Sequence, residues 1–475
     1  MLTKYNLEGL LFSESDYIGD FALAIDFYEL TMAAAYYYSS HNEKNIKKKG
    51  VFEMFIRRLP SNRSYIVAAG LEQALYFLMT IKFSNEQISY LKSLEAFKCV
   101  DEDFFEYLKK FRFTGTVWAV PEGTILFPNE PIIRIEAPMI EAQIVETYIL
   151  SVINFQSLIA TKASRIINAA NRKPVIEFGS RRAHGPQAGL LAARSAYIGG
   201  CVGTSNTLAG YKLGIPVFGT MAHSFVMSFN REEDAFIQFS RIFPTGYLLV
   251  DTYDSIAAVK KIINLEIDIH GIRLDSGNLF QLSKESRRLL DSAGHTQTKI
   301  MATGDLNENV ISNLVDMHAP IDSFGVGTDL STSRDDPVMG GVYKLVAVKL
   351  SHTSEKGKDS IYDKIIYTMK TSSGKKTYPG PKQIFRIIKN DIMKRDILIL
   401  EEEDGKNLKG GVALLVKMAD KGKLVCKLPS LVEIQKYHIE QLNLLPKRYK
   451  RLEFMPFPVA FSKRLKAITL QFKPN

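Results

Sequence analysis

Pro174-Val175-Ile176-Glu177-Phe178-Gly179-Ser180-Arg181-Arg182 opens the stretch, closing at His223, that decides the fold of this 475-residue chain. Residues 175–178 are short, apolar and largely β-branched, the pattern of a buried strand. The strand runs into Gly179 and two arginines, where a polar site belongs. Pro186 suits the first turn of a helix, residues 187–198 are rich in Ala and Leu, and Gly199-Gly200 stops the run. Cys201-Val202 predicts a minimal strand, and Gly203-Thr204-Ser205-Asn206 turns into a helix ending at Gly214. Residues 215–218 predict the next strand, followed by Gly219-Thr220-Met221-Ala222-His223-Ser224. Strand, small or polar turn and helix repeat about every 20 residues, which is a parallel βαβ rhythm.

The rhythm continues downstream. Residues 247–250, 269–274, 299–302 and 323–326 predict strands, with helices at 255–264, 279–293 and 307–317 between them. Asp254 or Ser255 suits an N-cap. These strands end in Asp251-Thr252-Tyr253-Asp254, Asp275-Ser276-Gly277-Asn278, Thr303-Gly304-Asp305 and Gly327-Thr328-Asp329. The C-terminal rim of a parallel α/β sheet is where ligands bind. The rhythm predicts a barrel-like closure first and an open doubly wound sheet second.

Outside that region the pattern differs. Residues 20–38 read as an amphipathic helix that would bury Tyr28. Residues 41–49 read as a polar loop, 51–56 as a strand ending at Arg57-Arg58-Leu59-Pro60, and 70–79 and 84–97 as helices. Short strands follow at 113–120, 123–127 and 131–136, and a long connecting helix at 141–170. Residues 340–350, 385–400 and 411–417 are strand-like, 351–376 suggest a polar hairpin, 431–445 are partly helical, and the tail after Pro446 is basic.

Composition limits the function classes. Hydrophobic content of 46% and charged content of 24% are ordinary for a globular chain. No 18-residue run is uniformly apolar, so no membrane association is expected, and residues 1–6 lack an apolar signal core. The widely spaced Cys99, Cys201 and Cys426 show neither metal spacing nor a disulfide framework, which suits a cytoplasmic setting. The net charge of +10 is spread over scattered lysines without aromatic interleaving, so no nucleic-acid partner is expected. A polyphosphate substrate would suit it.

The rim supplies the chemistry. Gly-Thr turns offer N–H groups and hydroxyls to phosphate oxygens, and Arg181 and Arg273 are candidate clamps for charged groups. No Gly-x-x-x-x-Gly-Lys-Ser/Thr loop is present. Asp251, Asp275 and Asp305 are candidates for Mg²⁺ or ribose hydroxyls. His223 lies in a Gly-Thr turn past a strand, although a lone histidine is more often a packing residue; the histidines at 184, 270, 295, 318, 352 and 438 have no comparable setting.

Residues 26–32, 52–60, 178–183, 203–210, 219–224, 273–277, 325–328 and 341–345 together resemble the nicotinate phosphoribosyltransferase family of type II phosphoribosyltransferases. The resemblance spans residues 20 to about 390, and the last ~85 carry little of it. It implies an irregular TIM-like β/α barrel with an α+β domain built from the N-terminal region and part of the C-terminal region. The expected division is 1–140, 141–340 and 341–475. It implies joining nicotinate to 5-phosphoribosyl 1-pyrophosphate to give nicotinate mononucleotide and pyrophosphate, the first step from nicotinate toward NAD. It also implies Mg²⁺, ATP as co-substrate in a ligase-type reaction, and a transient phosphohistidine at His223, with Asp251 on the other ring nitrogen.

By the same resemblance, Tyr28 from a partner subunit and Phe178 sandwich the pyridine ring in a homodimer with shared active sites. Arg181, Thr220 and Arg273 match residues around nicotinate and ribose, and Asp275 matches a substrate-contacting aspartate. Gly304, Asp305, Gly327 and Thr328 match loops that hold the phosphate and ribose. Ser205 stands where the nicotinamide-using relative has an aspartate, which would repel a carboxylate. Ser205 argues against nicotinamide as the substrate, and His223 in its Gly-Thr turn argues against quinolinate. A basic nucleic-acid-binding or purely structural β/α protein would leave the rim residues unexplained.

Overall fold

The computed structural model describes residues 21–472, apart from 43–45, 266, 353–363, 373–374, 376, 406–407 and 409. Six parallel strands lie side by side in the order Gly203–Thr204, Val175–Glu177, Ser323–Val326, Lys299–Ala302, Gly271–Leu274 and Tyr247–Leu249. The first strand in the chain pairs with both the second and the last. From Tyr247–Leu249 onward each strand neighbours its successor, so the order follows a circle with Gly203–Thr204 and Tyr247–Leu249 at its two ends. A doubly wound sheet reverses direction at a switch point and would not pair first with last. The circle stays open at one seam, between Val217 and Tyr247–Leu249, and the domain is an irregular β/α barrel.

The weak strand sits at Gly203–Thr204, two residues beyond the predicted Cys201-Val202. Residues 215–218, predicted as a strand, contribute only an isolated parallel bridge between Thr204 and Val217. The Thr204 N–H donates to the Pro216 carbonyl at 3.0 Å and the Phe218 N–H donates to the Thr204 carbonyl at 2.9 Å. Pro216 itself has no N–H to offer, so a longer ladder loses a donor there. Val175, Ile272, Ile300 and Val326 are fully buried in the barrel core. Each such side chain contributes about 1.5–3 kcal/mol of transfer free energy before the entropy of ordering is subtracted.

A second sheet is antiparallel and draws on distant parts of the chain. Its order is Lys364–Tyr367, Gly341–His352, Ile46–Ile56, Pro131–Pro138, Thr116–Ala119, Val416–Asp420 and Lys423–Leu424. The predicted loop at 41–49 is therefore partly strand, because Ile46 already pairs with His352 in the long ladder. The tip of the predicted hairpin, 353–363, lies outside the described residues. A four-stranded sheet joins Gly411–Ala413, Lys382–Lys389, Ile392–Leu400 and Val459–Phe461. The basic tail is thus ordered: Val459–Phe461 pairs parallel to Ile392–Leu400, and the helix Lys463–Gln471 packs against the same strand.

The connecting helix is broken at Val145 into Met139–Ile144 and Glu146–Ala169. Taken together, 139–169 is long and apolar enough to cross a membrane by length and composition, although polar residues interrupt it and no 18-residue stretch of it is uniformly apolar. In the fold, 67% of that apolar window is buried. Its polar side chains serve neighbouring backbone: Thr161 Oγ1 accepts from the Val67 N–H at 2.9 Å and Ser157 Oγ accepts from the Ala69 N–H at 3.0 Å. The three cysteines are all free.

Candidate active site

Arg273 is the third residue of the strand Gly271–Leu274, close to the rim of the barrel. Its guanidinium spans three neighbouring strand ends. Nη1 donates to Thr220 Oγ1 at 2.6 Å, Nε to Thr303 Oγ1 at 2.8 Å, and Nη2 to Asp275 Oδ1 at 2.5 Å. The Thr303 hydroxyl in turn donates to Asp275 Oδ1, closing a triangle. Burial pushes the Asp275 carboxyl up, but the Thr303 hydrogen bond and the Arg273 guanidinium more than offset it. The net pKa lies below the ordinary aspartate value.

His223 begins the short helix His223–Met227. Its Nδ1 lies 3.1 Å from Thr252 Oγ1 and its Nε2 lies 3.9 Å from Asp275 Oδ2. Asp251, expected on the second ring nitrogen, is not there: Thr252 occupies that position. Asp251 instead accepts from Ser276 Oγ at 2.6 Å, and its Oδ1 is buried without a hydrogen-bond partner among the described residues. His223, Asp251 and Asp275 offer ligand atoms within 4.8 Å of one another. Two carboxylates, one with an unused buried oxygen, suit a hard cation that takes oxygen ligands.

Phe178 follows the strand Val175–Glu177, and its ring lies flat enough on Gly325 that a Cβ there would come within 2.6 Å of it. The ring borders a cavity of about 1070 Å³ that runs along the open seam, sharing it with Thr220, Val217, Phe218, Tyr247 and Met301. The residue before Phe178, Glu177, is a buried acid that sequence reasoning did not single out. It accepts from Thr204 Oγ1 at 2.6 Å and from the Gly179 N–H, and burial raises its pKa. The Ser205 N–H donates to the Glu177 carbonyl at 2.9 Å, so Phe178 and Ser205 are set by the same residue.

Gly304 has φ +78°, and a Cβ there would meet the Asp275 carbonyl oxygen at 1.8 Å; only glycine fits. Asp305 follows at φ +27° and is exposed. Gly327 lies beside the Phe178 backbone and caps the short helix Thr328–Thr332. Arg181 is exposed.

The structure therefore gathers Thr220, His223, Asp251, Arg273 and Asp275, with Phe178 on the adjoining cavity and Gly304 against Asp275. Tyr28 is elsewhere, on the helix Phe27–Asn42. It is 46% exposed in the single chain, not buried, and it bonds Glu146. Thr252, Ser276 and Thr303 were passed over in the sequence, although all three sit in strand-end turns. His438, by contrast, is a packing histidine: it is buried between the Gly123 carbonyl and Ser164 Oγ, and burial lowers its pKa to about 4.

Family models match in three parts. The nicotinate phosphoribosyltransferase family model covers residues 174–377, its N-terminal domain model 23–154 and its C-terminal domain model 409–469. The last of these extends the likeness into the tail that had shown little of it. Nicotinate phosphoribosyltransferase pncB2 of Mycobacterium tuberculosis is 43% identical over 452 residues, covering 94% of this chain and 92% of that protein. The Bacillus subtilis nicotinate phosphoribosyltransferase is 40% identical over 461 residues, covering 91% and 90%. The crystal structure of human nicotinic acid phosphoribosyltransferase superposes with a TM-score of 0.77 at 27% identity, covering 94% of this chain and 99% of that one. A nicotinate-nucleotide pyrophosphorylase from Pyrococcus furiosus gives 0.69 at 26% identity, covering 90% and 97%. On the strength of that agreement along nearly its whole length, the chain belongs to the nicotinate phosphoribosyltransferase family.

Proposed function

We propose that this chain joins nicotinate to 5-phosphoribosyl 1-pyrophosphate, releasing nicotinate mononucleotide and pyrophosphate, with ATP hydrolysed in the same cycle through phospho-His223. The observation that carries the reading is Arg273 held between Thr220, Thr303 and Asp275 beside His223. In the transfer, the ribose C1–O bond to pyrophosphate breaks and the bond from C1 to the pyridine nitrogen forms. The sugar passes through an oxocarbenium-like state, which rewards positioning and electrostatics over a strong base. Phe178 offers one face to the pyridine ring, Arg273 attracts its carboxylate, and the Gly304 and Gly327 loops receive the phosphate-bearing ribose.

With the Thr252 hydroxyl accepting from Nδ1–H, Nε2 of His223 keeps its lone pair and is the nucleophile toward the γ-phosphoryl of ATP. ADP leaves, and water later hydrolyses the phosphoimidazole. Asp251 and Asp275 are the residues that would hold Mg²⁺, which supplies charge neutralisation for pyrophosphate. The test is stoichiometric: ADP formed per nicotinate mononucleotide, together with label from γ-labelled ATP. The expected result is ADP formation tied to product, and an acid-labile, base-stable phosphate on the protein. ADP formation independent of nicotinate, with no labelled protein, contradicts the ATP coupling.

Tyr28 completes the site from a second subunit in this reading. Phe27, Tyr28 and Met32 are 46%, 46% and 41% exposed on one helix, an apolar patch that an interface would cover. Tyr28→Ala and Arg273→Ala subunits, each nearly inactive alone, should regain roughly a quarter of wild-type activity after mixing. Half of randomly reassociated dimers are mixed, and each mixed dimer has one intact site. No recovery after proven subunit exchange places Tyr28 outside the partner's site.

Selectivity for nicotinate over nicotinamide rests partly on Ser205. An aspartate there sets a like charge near the substrate carboxylate, worth about 4 kcal/mol at 4 Å and an effective dielectric of ~20 before relaxation. Ser205→Asp should lose roughly 1–3 kcal/mol, about 5- to 150-fold in kcat/KM for nicotinate, and less for nicotinamide. An unchanged preference in a folded variant moves the discrimination to another residue.

A further inference from the structure

Lys162 lies in the middle of the helix Glu146–Ala169 and is 1% exposed. Its ammonium is 2.5 Å from Glu308 Oε2, 2.8 Å from Asp335 Oδ1 and 3.7 Å from Asp329 Oδ1. These carboxylates come from two separate stretches of chain. Glu308 opens the helix Glu308–Asp316, directly after the turn that contains Gly304 and Asp305. Asp329 is the second residue of Thr328–Thr332, directly after Gly327. Asp335 lies three residues beyond that helix. One buried cation therefore ties together the two rim loops that follow the last two barrel strands.

The surroundings hold that cation in place. Arg165, nearly one turn along the same helix, donates from Nε to Glu308 Oε1 at 3.1 Å and from Nη1 to the Asn62 carbonyl at 2.5 Å. Arg63 donates to both oxygens of Asp335 at 3.0 and 3.1 Å and to Ser333 Oγ at 2.7 Å. Lys162, Arg165 and Arg63 thus face Glu308, Asp329 and Asp335, three charges against three. Burial pushes the Asp335 carboxyl up, but the hydrogen bonds from Arg63 and Lys162 bring it down to about 2. At Asp329, the most distant of the three, burial prevails and the pKa is raised.

We propose that Lys162 is a positioning residue for 5-phosphoribosyl 1-pyrophosphate: by pulling Glu308 and Asp329 toward one point, it fixes the spacing of the Gly304 and Gly327 loops. The proposal rests on the reading that those loops receive the phosphate-bearing ribose. A phosphate held by backbone groups from two loops is sensitive to their separation, and a misplacement of about 1 Å costs on the order of 10²-fold. Nicotinate, stacked on Phe178 and drawn by Arg273, depends on side chains with which Lys162 forms neither an ion pair nor a hydrogen bond.

The experiment measures KM for both substrates in three variants, with a thermal melt on each. Lys162→Met should raise KM for 5-phosphoribosyl 1-pyrophosphate roughly 10- to 100-fold and leave KM for nicotinate within about twofold. Should that variant fail to fold, because it strands buried carboxylates, Asp329→Asn decides: it keeps the side-chain shape and should raise the same KM about 3- to 10-fold. Equal rises in both KM values, or a folded Asp329→Asn enzyme with unchanged values, overturns the proposal. Thr328→Asp separates this from the underlying reading. A carboxylate in the loop itself must repel the phosphate, so an unchanged KM there means that the loops do not hold the phosphoribosyl group. A raised KM in Thr328→Asp beside an unchanged one in the other two variants overturns the positioning role alone.

Discussion

His223→Ala is expected to lose all stimulation by ATP while keeping a slow transfer from 5-phosphoribosyl 1-pyrophosphate to nicotinate. In the proposed reading the imidazole is the group phosphorylated; its Nδ1 lies beside Thr252 and its Nε2 on the Asp275 side of the cluster. Phe178 lines the adjoining cavity, whose lining does not include His223, so nicotinate binding should survive its removal. At saturating ATP the loss in kcat/KM should be roughly 10- to 100-fold, about 1.4–2.7 kcal/mol. Without ATP the variant and the wild type should differ little. Turnover measured against ATP concentration checks this, and a variant still stimulated by ATP removes His223 from the coupling.

Arg273→Ala should be more damaging. The side chain makes three hydrogen bonds, to Thr220, Thr303 and Asp275, and its removal leaves a partly buried carboxylate without its cation. With the cation that draws the nicotinate carboxylate gone, kcat/KM for nicotinate should fall roughly 100-fold or more, about 2.7 kcal/mol of transition-state stabilisation. Arg273→Lys should recover little, because an ammonium cannot reach three divergent partners. The pH profile gives an independent check. Arg273 and Thr303 hold the Asp275 carboxyl below its ordinary range, so loss of the guanidinium raises that pKa. Residual activity that needs ionised Asp275 then disappears at a higher pH on the acid side. An acid limb that stays in place or moves down shows that Asp275 is not the group that titrates.

Much of this arrangement is legible in the sequence because it is local. Short β-branched runs followed by Gly, Thr or Asp mark both the strands and the rim, and Asp254 caps its helix as expected, while Asn206 caps the helix that follows the Gly203-to-Asn206 turn. Strand length is less visible where one residue decides it, as Pro216 does by denying the 215–218 segment a ladder. Thr252, Ser276 and Thr303 act through partners 25 to 30 residues away, a relation no spacing rule encodes. The exposure of Tyr28 depends on what packs over its helix, and periodicity gives only a face. The long helix passes a membrane test because composition does not show that Thr161 and Lys162 have partners on neighbouring elements. The tail after Pro446 reads as merely basic, since its strand finds its partner some sixty residues earlier.

The central claim is tested most directly by identifying the product when the purified protein is given 5-phosphoribosyl 1-pyrophosphate with either nicotinate or nicotinamide, in parallel, with and without ATP. The expected result is nicotinate mononucleotide and pyrophosphate from nicotinate, faster with ATP, and little or no nicotinamide mononucleotide. Equal or greater turnover of nicotinamide, or no mononucleotide from nicotinate under any condition, contradicts the account.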